Sequence, residues 1–275
     1  MARKPTLGML LERYRQCVTP GKRGAGPEAA RLRAMARHPI AKRTAAALRG
    51  VDIAGYRDDR LRVVSGASVR RELVVLAHVF EIARKEWGVA LANPVRDIRR
   101  PPNGRPRVRR LRAEDNEASR LMAACAEARN RLLLPLVELA LETAMRRGEL
   151  LALRWEHVTL ARRTAYLPDT KNGEARAVPL SSRAIEVLTA LGPRRAGSVF
   201  AGLTPEAVKQ AFRRAARRAN LVDFRFHDLR HEATTRLFER GLELMEVASI
   251  TGHKDPRMLR RYTHLNAERL ARKLG

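Results

Sequence analysis

The 275 residues predict a mainly α fold in two parts. An all-helical N-terminal domain comes first. An α+β domain follows, with helices around a small three-stranded antiparallel sheet. Three observations carry this expectation. Residues 68–88 repeat apolar side chains at helical spacing, and no alternating strand pattern competes in the first hundred residues. Residues 99–110, RRPPNGRPRVRR, cannot continue a helix. Residues 157–180 hold three short strand-like runs, the last two separated by Asn172-Gly173, a strong hairpin signal.

In the N-terminal part, Thr6 can cap a helix carrying Leu7, Leu10, Leu11 and Tyr14 on one face. The glycine-rich stretch Gly21–Gly26 should break the pattern. The strongest element is SVRRELVVLAHVFEIARKEWG, with Ser68 as N-cap, Leu73, Leu76, Val79, Phe80, Ala83 and Trp87 as the apolar stripe, and Gly88 as the stop. Residues 1–98 thus read as a helical domain, with the role of residues 1–50 open.

Residues 99–110 read as a basic inter-domain linker. From Arg96 to Arg112 there are eight arginines opposed by Asp97 alone, which suits a segment tracking a phosphate backbone as well as a solvated spacer. The second domain spans 111–275. Residues 131–143 form an apolar helix with Pro135 near its start, and the chain turns at Arg146–Gly148 before re-entering helix. The strand-like runs are HVTL, RTAYLP and ARAVPL. Helices resume with Ser181 or Ser182 as cap, then with Thr204 capping and Pro205 at the first helical position; three further helices follow RFHD.

Composition narrows the function. Lys and Arg number 56 against 29 Asp and Glu, a formal net charge of +27, and residues 1–50 carry twelve basic residues against Glu12 and Glu28. So large an excess points to a polyanionic partner, nucleic acid being the commonest. Cys17 and Cys125 form no CxxC pair, which argues for a reducing compartment and against a disulfide framework or a cysteine-based zinc site. No apolar run reaches membrane-spanning length, and MARKPTLGMLLERYR lacks the apolar core of a signal peptide, so a soluble intracellular protein is expected.

Only four tyrosines occur, and one of them, Tyr262, lies in GHKDPRMLRRYTHL beside Arg260 and Arg261. Elsewhere Arg146 sits at a turn between helices, Lys171 at the expected hairpin tip, and His227 and Arg230 at i, i+3 in HDLR, on one face of a helix start. His253 precedes the tyrosine by nine residues. In the segments ALETAMRRGELLALRW, DTKNGEARAVPL, FHDLRHEATTRLFERG and ITGHKDPRMLRRYTHL the chain resembles the tyrosine recombinases of the phage-integrase family, in that family's order and spacing. The resemblance is strong from Leu111 onward. It is weaker over the helical N-terminal part, which is similar to the family's core-DNA-binding domain. Ala144 departs from the pattern, glycine being more usual there.

The resemblance implies a catalytic set of Arg146, Lys171, His227, Arg230, His253 and Tyr262, without metal, ATP or other cofactor. The chemistry suits these residue types. Two guanidinium forks can hold the negative charge that develops on a phosphodiester's non-bridging oxygens. His253 would add a hydrogen bond to the phosphate. His227 would take the phenol proton or bind the phosphate, and the resemblance leaves both open. Lys171 on a hairpin suits protonation of the departing 5′-oxygen. A phenol with a pKa of ~10 can attack and later leave, so a 3′-phosphotyrosyl bond stores the energy needed for resealing.

Three rival readings stand beside this one. A zinc site from His227 and His231 lacks the glutamate of HExxH and a third ligand. A type IB topoisomerase would use similar residues to relax supercoils. A non-catalytic DNA-binding regulator would keep only the fold. The resemblance further implies double-stranded DNA with specific recombination sites as substrate, a clamp of two domains on the duplex, a homotetramer on synapsed DNA, no membrane partner, and a cytoplasmic, nucleoid-associated location. Accessory DNA-bending proteins stay open. The tail THLNAERLARKLG has an apolar edge in Leu265, Leu270 and Leu274 that suits packing on a neighbouring protomer.

Overall fold

The computed structural model describes residues 4–102, 104, 107, 109–169 and 175–262. The chain divides into two compact units, Met1–Pro106 and Arg107–Gly275.

The regular secondary structure among the described residues of the first unit is all helical. Helix α1 (Leu7–Cys17) is capped by Thr6, whose hydroxyl accepts the Met9 N–H, and buries the four residues expected of it, Leu7, Leu10, Leu11 and Tyr14. The glycine-rich break is shorter than expected. Helix α2 (Ala25–Ala36) starts inside it, with Gly26 and Pro27 in the first turn, where backbone N–H groups have no helical partner to lose. Helices α3 (Gly50–Leu61) and α4 (Gly66–Lys85) complete the bundle. The cap of α4 is Ser65 and not Ser68. Ser65 is extended and its Oγ accepts the Ser68 N–H, so the helix starts a turn earlier and Ser68 lies within it. Gly88 ends the segment at φ 65°, a conformation that favours glycine. Tyr14, Ile53, Tyr56, Leu73, Leu76, Val79 and Phe80 form the centre of the core. Beneath it the buried Glu72 carboxylate accepts from Tyr56 Oη at 2.7 Å and from two Arg60 nitrogens at 2.9 and 2.8 Å, so its charge is fully paired.

The second unit begins with arginines that the sequence suggested as linker. Arg107 pairs with Asp223 and with buried Asp228, Arg109 with buried Glu117, and Arg110 with Glu232 and Glu239. These side chains fasten the segment to its own unit. Helix α5 (Glu117–Ala126) and the apolar α6 (Leu133–Thr143) follow, then the short α7 (Arg147–Leu151). Strands β1 (Val158–Thr159), β2 (Thr164–Leu167) and β3 (Arg176–Pro179) form an antiparallel sheet in the order β1-β2-β3, with Ala165 opposite Val178 and both buried. The expected Asn172-Gly173 hairpin lies outside the described residues. Helices α8 (Ser182–Ala190, capped by Ser181), α9 (Pro205–Arg218, capped by Thr204), α10 (Phe226–Glu239) and α11 (Leu244–Thr251) lead to a 3-10 turn over Pro256–Tyr262.

Helix α6 is the central rod, packed by α5, α8 and α10, and its apolar residues anchor the large core. A separate small cluster joins Ala144, Ala233, Leu237, Val247, Ala248, Leu259 and Tyr262. This cluster brings the end of α6, the middle of α11, residues of α10 and the last turn to one place. Among the described residues no helix is long and apolar enough to cross a membrane.

Candidate active site

The site grows from the end of α6. Ala144 is left-handed, at φ 51° and ψ 19°, and so stops the helix abruptly. A methylated residue there carries a strain that glycine would avoid. The stop frees the Ala144 carbonyl, which accepts Arg230 Nη1 at 2.6 Å. The other terminal nitrogen, Nη2, donates to Thr251 O at 2.6 Å, at the end of α11. Arg230 is thereby held, buried, between two helix ends. Burial and then the nearby Arg146 push its pKa down to about 9, so it remains a cation at neutral pH.

Arg146 caps α7. Its backbone N–H donates to Glu149 Oε2 at 2.8 Å, its Nη1 to Glu149 Oε1 at 2.7 Å, and its Nη2 to Gly252 O at 3.4 Å. Two catalytic-candidate guanidinium groups therefore rest on consecutive carbonyls, Thr251 and Gly252. Each guanidinium has five N–H donors, and these contacts engage two on each.

Glu149 also accepts both terminal nitrogens of Arg176, at 3.1 and 2.8 Å, while Arg176 Nε reaches Ile250 O at 3.1 Å. Burial raises the Glu149 pKa, but hydrogen bonds from Arg176 and the Arg146 backbone outweigh it and hold the carboxyl at about 2. Gly252 is required by this packing. Its φ is +69°, and a Cβ on it would meet Arg176 Nη1 at 2.8 Å.

His253 follows directly. Its Nδ1 lies 2.6 Å from Thr251 Oγ1, which itself donates to Val247 O at 2.6 Å. A hydroxyl has one proton, so with Thr251 bonded back to its helix, His253 Nδ1 is the donor and Nε2 is left for a ligand. Burial, then Arg230 and Arg146, lower the His253 pKa to about 4. His227 is lowered as well, by burial first and Arg230 next.

Tyr262 is buried in the small cluster and its hydroxyl meets His231 Nδ1 in a short hydrogen bond. The two rings stack at 29° with centroids 5.7 Å apart, and His227 packs edge-on against His231 at 5.0 Å. Burial raises the phenol pKa, opposed by the charges of Arg261 and Arg230. The Arg261 guanidinium lies over the tyrosine ring, 5.0 Å from its centroid, and its Nε is buried with no hydrogen-bond partner among the described residues.

Five of the six residues singled out in the sequence, Arg146, His227, Arg230, His253 and Tyr262, thus converge in one unit. Lys171 lies outside the described residues, as does the tail after Tyr262. Sequence reasoning missed Glu149, Arg176 and Thr251 as supports, although Glu149 stands at i+3 from Arg146. It noticed His231 only as half of a zinc pair. In the fold, a phenol meets His231.

A family model described as the phage integrase family matches residues 111–269. The chain belongs to that family. A shufflon-specific DNA recombinase of Escherichia coli is 43% identical over 281 residues, covering 99% of this chain and 72% of the relative. A putative integrase/recombinase of Haemophilus influenzae is 36% identical, covering 90% of this chain and 82% of the relative. The fold agrees with a crystal structure of a lambda integrase dimer bound to a COC′ core site, with a TM-score of 0.76 at 24% identity, covering 94% of this chain and 77% of that one. The Tn1549 transposon integrase in complex with a circular intermediate DNA gives a TM-score of 0.79 at 14% identity, covering 98% and 99%. This member of the phage integrase family is therefore a tyrosine-type site-specific DNA recombinase, of a class that works through a covalent intermediate. The topoisomerase and regulator readings give way to it.

Proposed function

We propose that this recombinase cuts duplex DNA at specific sites by attack of Tyr262 on a phosphodiester held by Arg146 and Arg230. The observation that carries the reading is the seating of both guanidinium groups on the Thr251 and Gly252 carbonyls, beside His253. Rigid donors aimed at one anion are what phosphoryl transfer asks of a protein. The buried Nε of Arg261, without a hydrogen-bond partner among the described residues, supports an anion too, because an unmet donor costs about 1–3 kcal/mol until an acceptor arrives.

In this reading Arg146 and Arg230 neutralise the non-bridging oxygens. His253 donates from Nε2 once it has taken up a proton. Lys171 protonates the departing 5′-oxygen. The products are a 3′-phosphotyrosyl bond and a free 5′-hydroxyl, and attack by another 5′-hydroxyl reverses the step without ATP. Residues 1–98 would act as the core-DNA-binding domain and 111–275 as the catalytic domain. Four protomers on two synapsed sites would exchange strands pairwise, in the cytoplasm at the nucleoid.

A sulfur substitution tests the division of labour. The substrate is a nicked duplex carrying the site recovered by sequencing junctions made in cells that express the protein beside its own flanking DNA. Lys171→Ala should bind it but cleave slowly. Replacing the bridging 5′-oxygen by sulfur should restore cleavage, because a thiol with a pKa near ~8.5 departs as the anion without a general acid. Arg146→Ala and Arg230→Ala should recover little. Equal rescue of all three variants would contradict the assignment.

A further inference from the structure

His231 is buried, bonded to the reacting phenol, and has no role in the scheme above. We propose that His231 accepts the Tyr262 proton during strand cleavage, which leaves His227 to the phosphate. The inference rests on the reading of Tyr262 as nucleophile.

The geometry favours His231 over His227. His231 Nδ1 makes the hydrogen bond to Tyr262 Oη, and its ring stacks on the tyrosine ring, so donor and acceptor are already in reach. Among the described residues His227 makes no hydrogen bond to Tyr262; it touches the edge of the His231 ring.

The surroundings set the charge of that imidazole. His227 and Asp228 on α10, Arg230 one residue before, and Arg261 beside the phenol all act on His231. Burial comes first, then His227 and Arg261, and together they outweigh Asp228 and lower His231 to about 4. The free protein therefore has a neutral imidazole, and in the tautomer that carries its proton on Nε2 the phenol donates to Nδ1. So low a pKa makes a weak base. A phosphodiester at Arg146 and Arg230 adds a negative charge to this cationic cluster and raises the basicity of His231 when substrate is present. The base is strengthened by the DNA it helps to cut.

The Tyr262 proton passes to His231 Nδ1 as the Oη–P bond forms. The P–O5′ bond breaks, and the 5′-oxygen takes its proton from the general acid, Lys171. On resealing, the attacking 5′-hydroxyl returns its proton to Lys171, and the phenolate leaves with the proton held by His231.

The test is single-turnover cleavage of the same nicked duplex by His231→Gln, an amide that can accept a hydrogen bond but not a proton. With melting and DNA binding kept, cleavage should fall by about 10²–10³-fold and the acid limb of the pH–rate profile should vanish. Replacing Tyr262 by the more acidic 3,5-difluorotyrosine should then recover at least tenfold in His231→Gln and little in Arg230→Ala. Wild-type rate and profile in His231→Gln, or no recovery with the acidic tyrosine, would overturn the proposal. Should His231→Gln not fold, difluorotyrosine in the otherwise unchanged protein decides: the acid limb should flatten, and an unchanged limb would overturn it. A wild-type protein that formed no adduct would overturn the reading of Tyr262 itself, and is told apart because His231 is then in place.

Discussion

Glu149 is a buried carboxylate between two guanidinium groups, and its removal should be felt in stability and in chemistry. Glu149→Gln leaves Arg146 and Arg176 without a counter-charge, at a cost of about 3 kcal/mol or more, roughly 6–12 °C in Tm by calorimetry. The pH dependence has a definite sign. The folded pKa of about 2 lies below the ordinary 4.5, so the stabilisation is complete above the ordinary value and lost as pH falls toward 2. The Tm difference between wild type and variant should shrink over that window. The histidines bear on DNA binding. His227, His231 and His253 are all lowered in the free protein, and a bound phosphodiester raises them. Binding of the cleavage site should take up protons and tighten as pH falls from the ordinary histidine value of 6.5 toward about 4; calorimetry in two buffers of different ionisation enthalpy reads the uptake, and release of protons would contradict it. These residue-level links explain what the sequence could show. Arg146, His227, Arg230, His253 and Tyr262 were legible because their order and spacing form a pattern. Glu149, Arg176 and His231 were not, since each acts through contacts made by segments far apart in the chain.

At the scale of elements, local chemistry was read well where one residue decides the outcome. Thr6, Thr204 and Ser181 cap as expected, and the three strands occur where β-branched and apolar residues alternate between turns. The misreadings came where two residues compete. Ser65 and Ser68 both suit a cap, and apolar periodicity alone does not choose between them. Ser65→Ala should therefore cost about 1 kcal/mol, and Ser68→Ala less, in chemical denaturation. The turn after α11 decides more. Gly252→Ala meets a left-handed backbone worth about 1–2 kcal/mol and also displaces Arg176 from Glu149. We expect a lowered Tm together with a loss of cleavage larger than the loss of DNA binding. Equal losses in both would show that the turn supports only the fold.

For the whole molecule, the net charge of +27 predicts tight, salt-sensitive binding to duplex DNA. The arginines around the unit boundary divide into two groups. Arg99 and Arg100 are exposed, whereas Arg107, Arg109 and Arg110 are paired with carboxylates of their own unit. Charge alone could not separate these groups, because the acidic partners lie up to 129 residues away in sequence. Arg99→Ala and Arg100→Ala should each lower the slope of log K against log salt by up to about 0.9. Arg107→Ala should leave the slope nearly unchanged and lower Tm, since it strips buried Asp228 of its guanidinium partner. Incubate the nicked recombination site with wild-type protein, digest the trapped complex, and identify the DNA-linked peptide by mass spectrometry. The account predicts a 3′-phosphate joined to Tyr262 and no adduct with Tyr262→Phe, although that variant still binds the site. An adduct on any other residue, or one that survives Tyr262→Phe, would contradict it.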